Sequence, residues 1–222
     1  MIPLRDINPT RTAPLVNVAI IVVNVAAFLY EVSLGQHLEL LFSEYAVIPQ
    51  HIVASLSNFH VNALASLFTS MFLHGGWLHL GGNMLYLWIF GDNVEEKMGH
   101  GRYLIFYLLC GLTATAVHIV VDPASTMPTV GASGAISGVL AAYLFMFPKA
   151  KGVTLIPIFV FLQVAELPAI VVLGMWFILQ FFNGLISLGF ETAGMGGVAW
   201  WAHIGGFAAG AILFLPFKKK SE

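Results

Sequence analysis

The sequence predicts an all-α membrane protein: one domain over residues 1–222, built as a six-transmembrane-helix bundle with a membrane-embedded first outer loop. Three observations carry this expectation. Hydrophobic residues make up 59% of the chain and charged residues only 9%, with a mean hydropathy of +0.88, a balance foreign to soluble domains of this length. Apolar runs of spanning length alternate with short polar joints. With six spans, all nine basic residues fall on one side: Arg5, Arg11, Lys97, Arg102, Lys149, Lys151, Lys218, Lys219 and Lys220. By the positive-inside rule that side is the cytoplasm, so both termini are expected there, in a multi-pass protein of the cell (inner) membrane.

In chain order, residues 1–13 form a short polar arm. The first span covers about 14–30, too long and too poor in cleavage-site residues for a signal peptide. Asn17 and Asn24, seven apart on one face, are expected to bond between helices. Tyr45 to about Ala65 is apolar, but a span there would split the basic residues between faces. It is therefore placed as a loop in or on the outer leaflet. The second span is expected at about 66–90 and the third at 103–121, closed by Asp122-Pro123. The fourth, 133–147, is too short to cross alone, which puts its first residue below the outer surface. Val153 to Ala165 is likewise too short and is placed as an inner interfacial segment. The fifth span is 167–186, a glycine-rich outer loop runs from Gly189 to Gly197, and the sixth span is 200–216. Cys110, the single cysteine, sits in an apolar run and is expected to be a small buried residue. No basic stretch of the kind that binds nucleic acid is present.

Gly131-Ala132-Ser133-Gly134 opens the fourth span with a serine between small residues. Missing Cβ atoms leave the hydroxyl approachable, and a helix's first turn has free N–H groups for an anion. Small residues at this spacing also serve close helix packing, so a base must be found elsewhere. The lysines act as a ruler. Ser133 lies sixteen residues before Lys149 and His203 fifteen before Lys218, which puts both ~23 Å above the inner boundary at ~1.5 Å per residue. Ser133 as nucleophile and His203 as general base follow. No Asp or Glu lies near that depth on spans four or six, so a dyad is expected rather than a triad. His79 and Asn83, at i and i+4, share a helix face and with the Ser133 amide can form an oxyanion hole. His74, Gly131 and Gly134 are possible accessories. Gly206 and Gly210, matched to Gly134 and Gly138, are expected to let spans four and six approach. The histidines show no His-Glu-x-x-His pattern, and no metal or other cofactor is expected.

The stretches Phe72-Leu73-His74-Gly75-Gly76-Trp77-Leu78-His79-Leu80-Gly81-Gly82-Asn83, Phe90-Gly91-Asp92-Asn93-Val94-Glu95, Gly131-Ala132-Ser133-Gly134 and Ala202-His203-Ile204-Gly205-Gly206, in this order, resemble the rhomboid family of intramembrane serine proteases over nearly the whole chain. The resemblance implies a Ser133–His203 dyad, an oxyanion hole of His79, Asn83 and the Ser133 amide, and a structural role for Glu95 in the inner loop. It also implies that the fifth helix and the loop after it act as gate and cap. Two departures stand out. Some members carry Trp-Arg in the first outer loop, whereas this chain has no arginine between Arg11 and Arg102; some carry an aromatic one turn after the serine, where this chain has Ser137. The function expected is endoproteolysis in or next to the spans of single-span membrane-protein substrates in the lipid bilayer, at a site opening to the extracytoplasmic side. A catalytically silent rhomboid-like protein that binds membrane clients is the alternative. A proton or metal channel is disfavoured because spans four and six are apolar below Ser137 and His203.

Overall fold

The computed structural model describes residues 1–56, 61–158, 161–189 and 198–219. Six long helices form the bundle: α1 (Leu15–Leu34), α5 (Trp77–Met98), α6 (His100–Val121), α7 (Ser133–Met146), α8 (Ala169–Gly189) and α9 (Trp200–Phe217). Three shorter helices, α2 (Leu38–Tyr45), α3 (Pro49–Ser55) and α4 (Val61–Thr69), lie between α1 and α5. The chain is a multi-pass membrane protein. The run Leu15–Tyr45 and helices α6, α8 and α9 are each long and apolar enough to cross a bilayer. Helix α5 carries Asp92, Glu95, Glu96 and Lys97 in its last two turns, and α7 has only 14 residues, about 21 Å at 1.5 Å per residue.

The shortness of α7 is explained by its place. Every residue from Gly134 to Tyr143 is buried, so the helix is apolar all round and needs no polar face. Helices α5, α6 and α9 surround it. Glycines set the distance to α9: a Cβ on Gly206 would run into the Gly134 carbonyl oxygen, and one on Gly210 into the Gly138 backbone. Close backbone approach of this kind is what small residues provide inside membranes, where lipid competes equally for apolar surface. Cys110 is fully buried, against the position a Gly138 Cβ would take.

Three expectations need correction. The second span does not begin at residue 66. Residues 66–69 finish α4, Ser70–Phe72 make a 3-10 turn, Leu73 is extended, and the long helix starts only at Trp77. Gly75-Gly76 break the apolar run, for glycine costs about 1 kcal/mol relative to alanine inside a helix. Second, the segment Val153–Ala165 and the arm at residues 1–13 are not separate stretches but join in one sheet. Strands β1 (Ile2–Asp6), β2 (Lys151–Ile158) and β3 (Phe161–Pro168) form one antiparallel sheet in the order β1-β2-β3. Ile2 pairs with Leu155, Asp6 with Gly152, Lys151 with Pro168 and Ile158 with Phe161, with a register shift between Pro3 and Arg5. Third, Asn24 donates to Ile20 O of its own helix at 2.8 Å, whereas Asn17 does bond between helices, to Leu87 O at 3.0 Å and from the Tyr103 hydroxyl at 2.8 Å. The loop expected at Gly189–Gly197 lies, from residue 190 onward, outside the described residues.

The first loop is held without an arginine by backbone. Val47 and Thr129 exchange N–H···O bonds at 3.0 and 2.7 Å, Gln50 N–H donates to Ser125 O at 3.0 Å, and Gly131 N–H to Ser70 O at 2.8 Å. The buried Glu31 carboxylate at the end of α1 accepts the His74 N–H at 3.2 Å on each oxygen. The loop is thereby stitched to the segment that delivers Ser133.

Candidate active site

Ser133 is the first residue of α7, and the chain reaches it through Gly131, whose φ of +131° lies where side chains are rarely tolerated. Ser137, one turn on, spends its hydroxyl on the Ser133 carbonyl at 2.6 Å. A cavity of about 30 Å³, room for about one water, is lined by Val47, Ser70, Gly131, Ser133, Gly134 and Ala202 among others.

Helix α9 brings His203 to the serine: Nε2 lies 2.8 Å from Ser133 Oγ. The other ring nitrogen, Nδ1, lies 2.7 Å from Gln180 Oε1 of α8. A carboxamide oxygen only accepts, so Nδ1 carries the proton and Nε2 presents its lone pair to the Ser133 hydroxyl. The imidazole is buried and packed by tryptophans. Trp176 of α8 lies tilted at 36° with centroids 5.8 Å apart, and Trp200 stands edge-on at 6.3 Å. Packing of the ring thus comes from α8 and from the first residue of α9. Gln180 is not among the residues the sequence points to, because a Ser–His dyad calls for no third member. Its one mark in the sequence is to be a polar residue in an apolar run; it lies eleven residues after Ala169, the first residue of α8, and so ~17 Å along its helix.

His79, in the first turn of α5, accepts the Gly75 N–H on Nδ1 at 3.3 Å. Its proton is therefore on Nε2, and a Cβ built on Gly131 would stand 2.7 Å from that nitrogen and 3.6 Å from Ser133 Oγ. The Nε2–H donor thus borders the space above the serine. Asn83, one turn further, is buried, and its amide nitrogen has no partner among the described residues. A buried donor left unsatisfied costs roughly 1–3 kcal/mol and asks for a reason. His74 stands behind His79, with ring centroids 5.1 Å apart, and edge-on to Phe28 at 6.5 Å. Gly134 faces the Ala114 side chain of α6, where its role is packing. Glu95 is remote from the serine: its carboxylate accepts the N–H groups of Val16 at 3.0 Å and Asn17 at 2.7 Å, capping the start of α1, and pairs with His100. An anion at a helix N-terminus is favoured by the macrodipole. Among the described residues no three His, Cys, Asp or Glu side chains cluster to hold a metal ion.

A family model described as the Rhomboid domain matches residues 61–220, a stretch containing His79, Asn83, Ser133, Gln180 and His203. Among similar proteins, Rhomboid protease GluP of Bacillus subtilis is 36% identical over 158 residues, 68% of this chain and 26% of that protein. Presenilin-associated rhomboid-like protein A, mitochondrial, of Danio rerio is 36% identical over 107 residues, 47% of this chain and 28% of that protein. Rhomboid protein 1, mitochondrial, of Saccharomyces cerevisiae is 31% identical over 96 residues, 41% of this chain and 28% of that protein. The matched stretches thus span about a quarter of the length of these relatives.

Proposed function

The chain belongs to the rhomboid family, and from that premise we propose that it is an intramembrane serine endopeptidase working through Ser133 and His203. The observation that carries the reading is the 2.8 Å contact between Ser133 Oγ and His203 Nε2, made at the head of a buried helix. In the reaction, Nε2 takes the hydroxyl proton as Oγ attacks the carbonyl carbon of the scissile bond. Negative charge gathers on the former carbonyl oxygen, for which the Ser133 N–H, His79 Nε2–H and the unpartnered Asn83 amide are the available donors. Collapse of this intermediate breaks the C–N bond. The proton on Nε2 goes to the departing amine, leaving an acyl ester on Ser133. A water, deprotonated by the same nitrogen, then hydrolyses the ester and restores both residues.

Rhomboid proteases act on membrane-protein substrates within the bilayer. For this chain we extend that to single-span substrates, cut near the end of the span that faces the serine, which the basic residues at the opposite end assign to the extracytoplasmic side. A spanning helix has its carbonyls hydrogen-bonded inside a sheath of side chains, so the nucleophile needs a locally opened helix. Small residues at the scissile bond suit the space beside Gly131. Helix α8 is the reading's gate: from Gly174 to Leu188 only Gln180 and Gly184 are buried.

The test is cleavage of single-span substrates by detergent-purified protein, with the cuts located by mass spectrometry. Wild-type protein is expected to cut after small residues near the serine-facing end, while Ser133→Ala and His203→Ala do not cut. Cutting by Ser133→Ala, or client binding without cutting by the wild type, would overturn the reading, the latter in favour of a silent rhomboid-like binding protein.

A further inference from the structure

We propose that Gln180 is a positioning residue for His203, making the working unit a relay of Ser133, His203 and an uncharged carboxamide supplied by α8. The inference rests on the Ser133–His203 reading and goes beyond it. Gln180 is buried, at 8% exposure, and its oxygen lies 2.7 Å from His203 Nδ1, on the far side of the ring from Ser133. A neutral imidazole accepts on one nitrogen only. If the proton moved to Nε2, that nitrogen would face the Ser133 hydroxyl as a donor and could not take its proton. An acceptor fixed at Nδ1 selects the tautomer in which Nε2 is free.

The same helix fixes the ring plane. Trp176 lies one turn before Gln180 and packs against the imidazole at 5.8 Å, so α8 holds the ring by its Nδ1 edge and by one face. The alignment of the base thereby depends on the packed position of α8. A carboxamide fits this depth better than a carboxylate would, because an ion in an apolar setting carries a desolvation cost that a neutral acceptor avoids.

The experiment compares Gln180→Met, close in size but without a carboxamide, with Gln180→Glu, which keeps an acceptor oxygen. The readouts are the rate at which a fluorophosphonate labels Ser133, kcat and KM on one substrate, and the melting temperature. Gln180→Met is expected to lower both labelling rate and kcat by about 10- to 100-fold, a part of the 10² to 10⁴ that a positioned general base contributes, with KM nearly unchanged. Gln180→Glu is expected to recover most of the loss. A Gln180→Met protein labelled at the wild-type rate, or a Gln180→Glu protein as impaired as Gln180→Met, would overturn the inference, the first because no acceptor would be needed at Nδ1, the second because restoring an acceptor oxygen there would have restored nothing. Failure of the underlying reading looks different: the wild type would then label no faster than Ser133→Ala.

Discussion

Gly131 shows how much of the site is decided by a missing side chain. Its φ is +131°, and a Cβ there would stand 2.7 Å from His79 Nε2 and 2.8 Å from Cε1. Alanine would add left-handed strain of roughly 1–2 kcal/mol and push the imidazole out of the space above Ser133. Gly131→Ala is therefore expected to lower kcat on the order of 10²-fold, as small misplacements of catalytic groups do, while the protein still folds. Gly75→Ala is the control, because its Cβ would meet only His79 Nδ1, at 3.8 Å. Equal activity of the two variants would contradict the placement of His79. Ser133 and His203 were legible from the sequence because glycines mark the first and depth below the surface marks the second. Gln180 and Glu31 were not, because nothing in a lone polar residue says which neighbouring helix it meets: Glu31 finds the backbone of His74, 43 positions away, and Gln180 finds His203, 23 away.

At the scale of elements, helices emerged from apolar length and the sheet did not. Val153, Thr154, Ile156, Ile158 and Val164 are the β-branched residues of the two hairpin strands, yet charge and length alone made the segment look like a failed span. β1 is invisible without its partner, since five residues carry no periodic signal. The sheet has a pH-sensitive joint. Asp6 of β1 accepts from Asn93 Nδ2 of α5 at 2.8 Å and from the Tyr143 hydroxyl of α7 at 3.0 Å. Loss of water pushes its carboxyl from the ordinary 3.8 up to about 6; the Tyr143 hydroxyl opposes this and the Asp92 charge adds to it. Asn8 and Asn93 are the other polar groups around it. A carboxyl whose folded value is raised holds its proton more tightly in the native state. Its favourable contribution is therefore complete below 3.8 and is lost as pH rises through about 6. Asp6→Asn, neutral at every pH and still an acceptor, is expected to raise the melting temperature more at pH 7.5 than at pH 5. A shift of the same size at both would remove Asp6 from the pH dependence.

For the whole molecule, the charge pattern and the contacts agree on which groups share an end. Lys219 N–H donates to Lys97 O at 2.8 Å and Ile7 N–H to Lys151 O at 3.1 Å, and the Arg11 N–H donates to Glu96 at 2.8 Å. The start of the chain, the α5–α6 corner at Gly99, the sheet and the end of α9 therefore meet at one pole, and Ser133 lies toward the other. The sharing of one end was legible because basic residues are counted without knowing any contact; the placing of α5, α6 and α8 around α7 was not, because nothing in an apolar run names the helix it packs against. That this basic pole faces the cytoplasm is expected from the lysines and arginines. It can be read in intact cells. In a Cys110→Ala background, Thr126→Cys lies in the exposed α6–α7 connection and Gln163→Cys on exposed β3. An impermeant maleimide added outside is expected to label position 126 at once and position 163 only after the membrane is opened. The reverse pattern would invert the orientation. It would also move the cleavage site to the substrate's cytoplasmic end while leaving the chemistry at Ser133 untouched, because the contacts among α7, α8 and α9 do not depend on which way the bundle points.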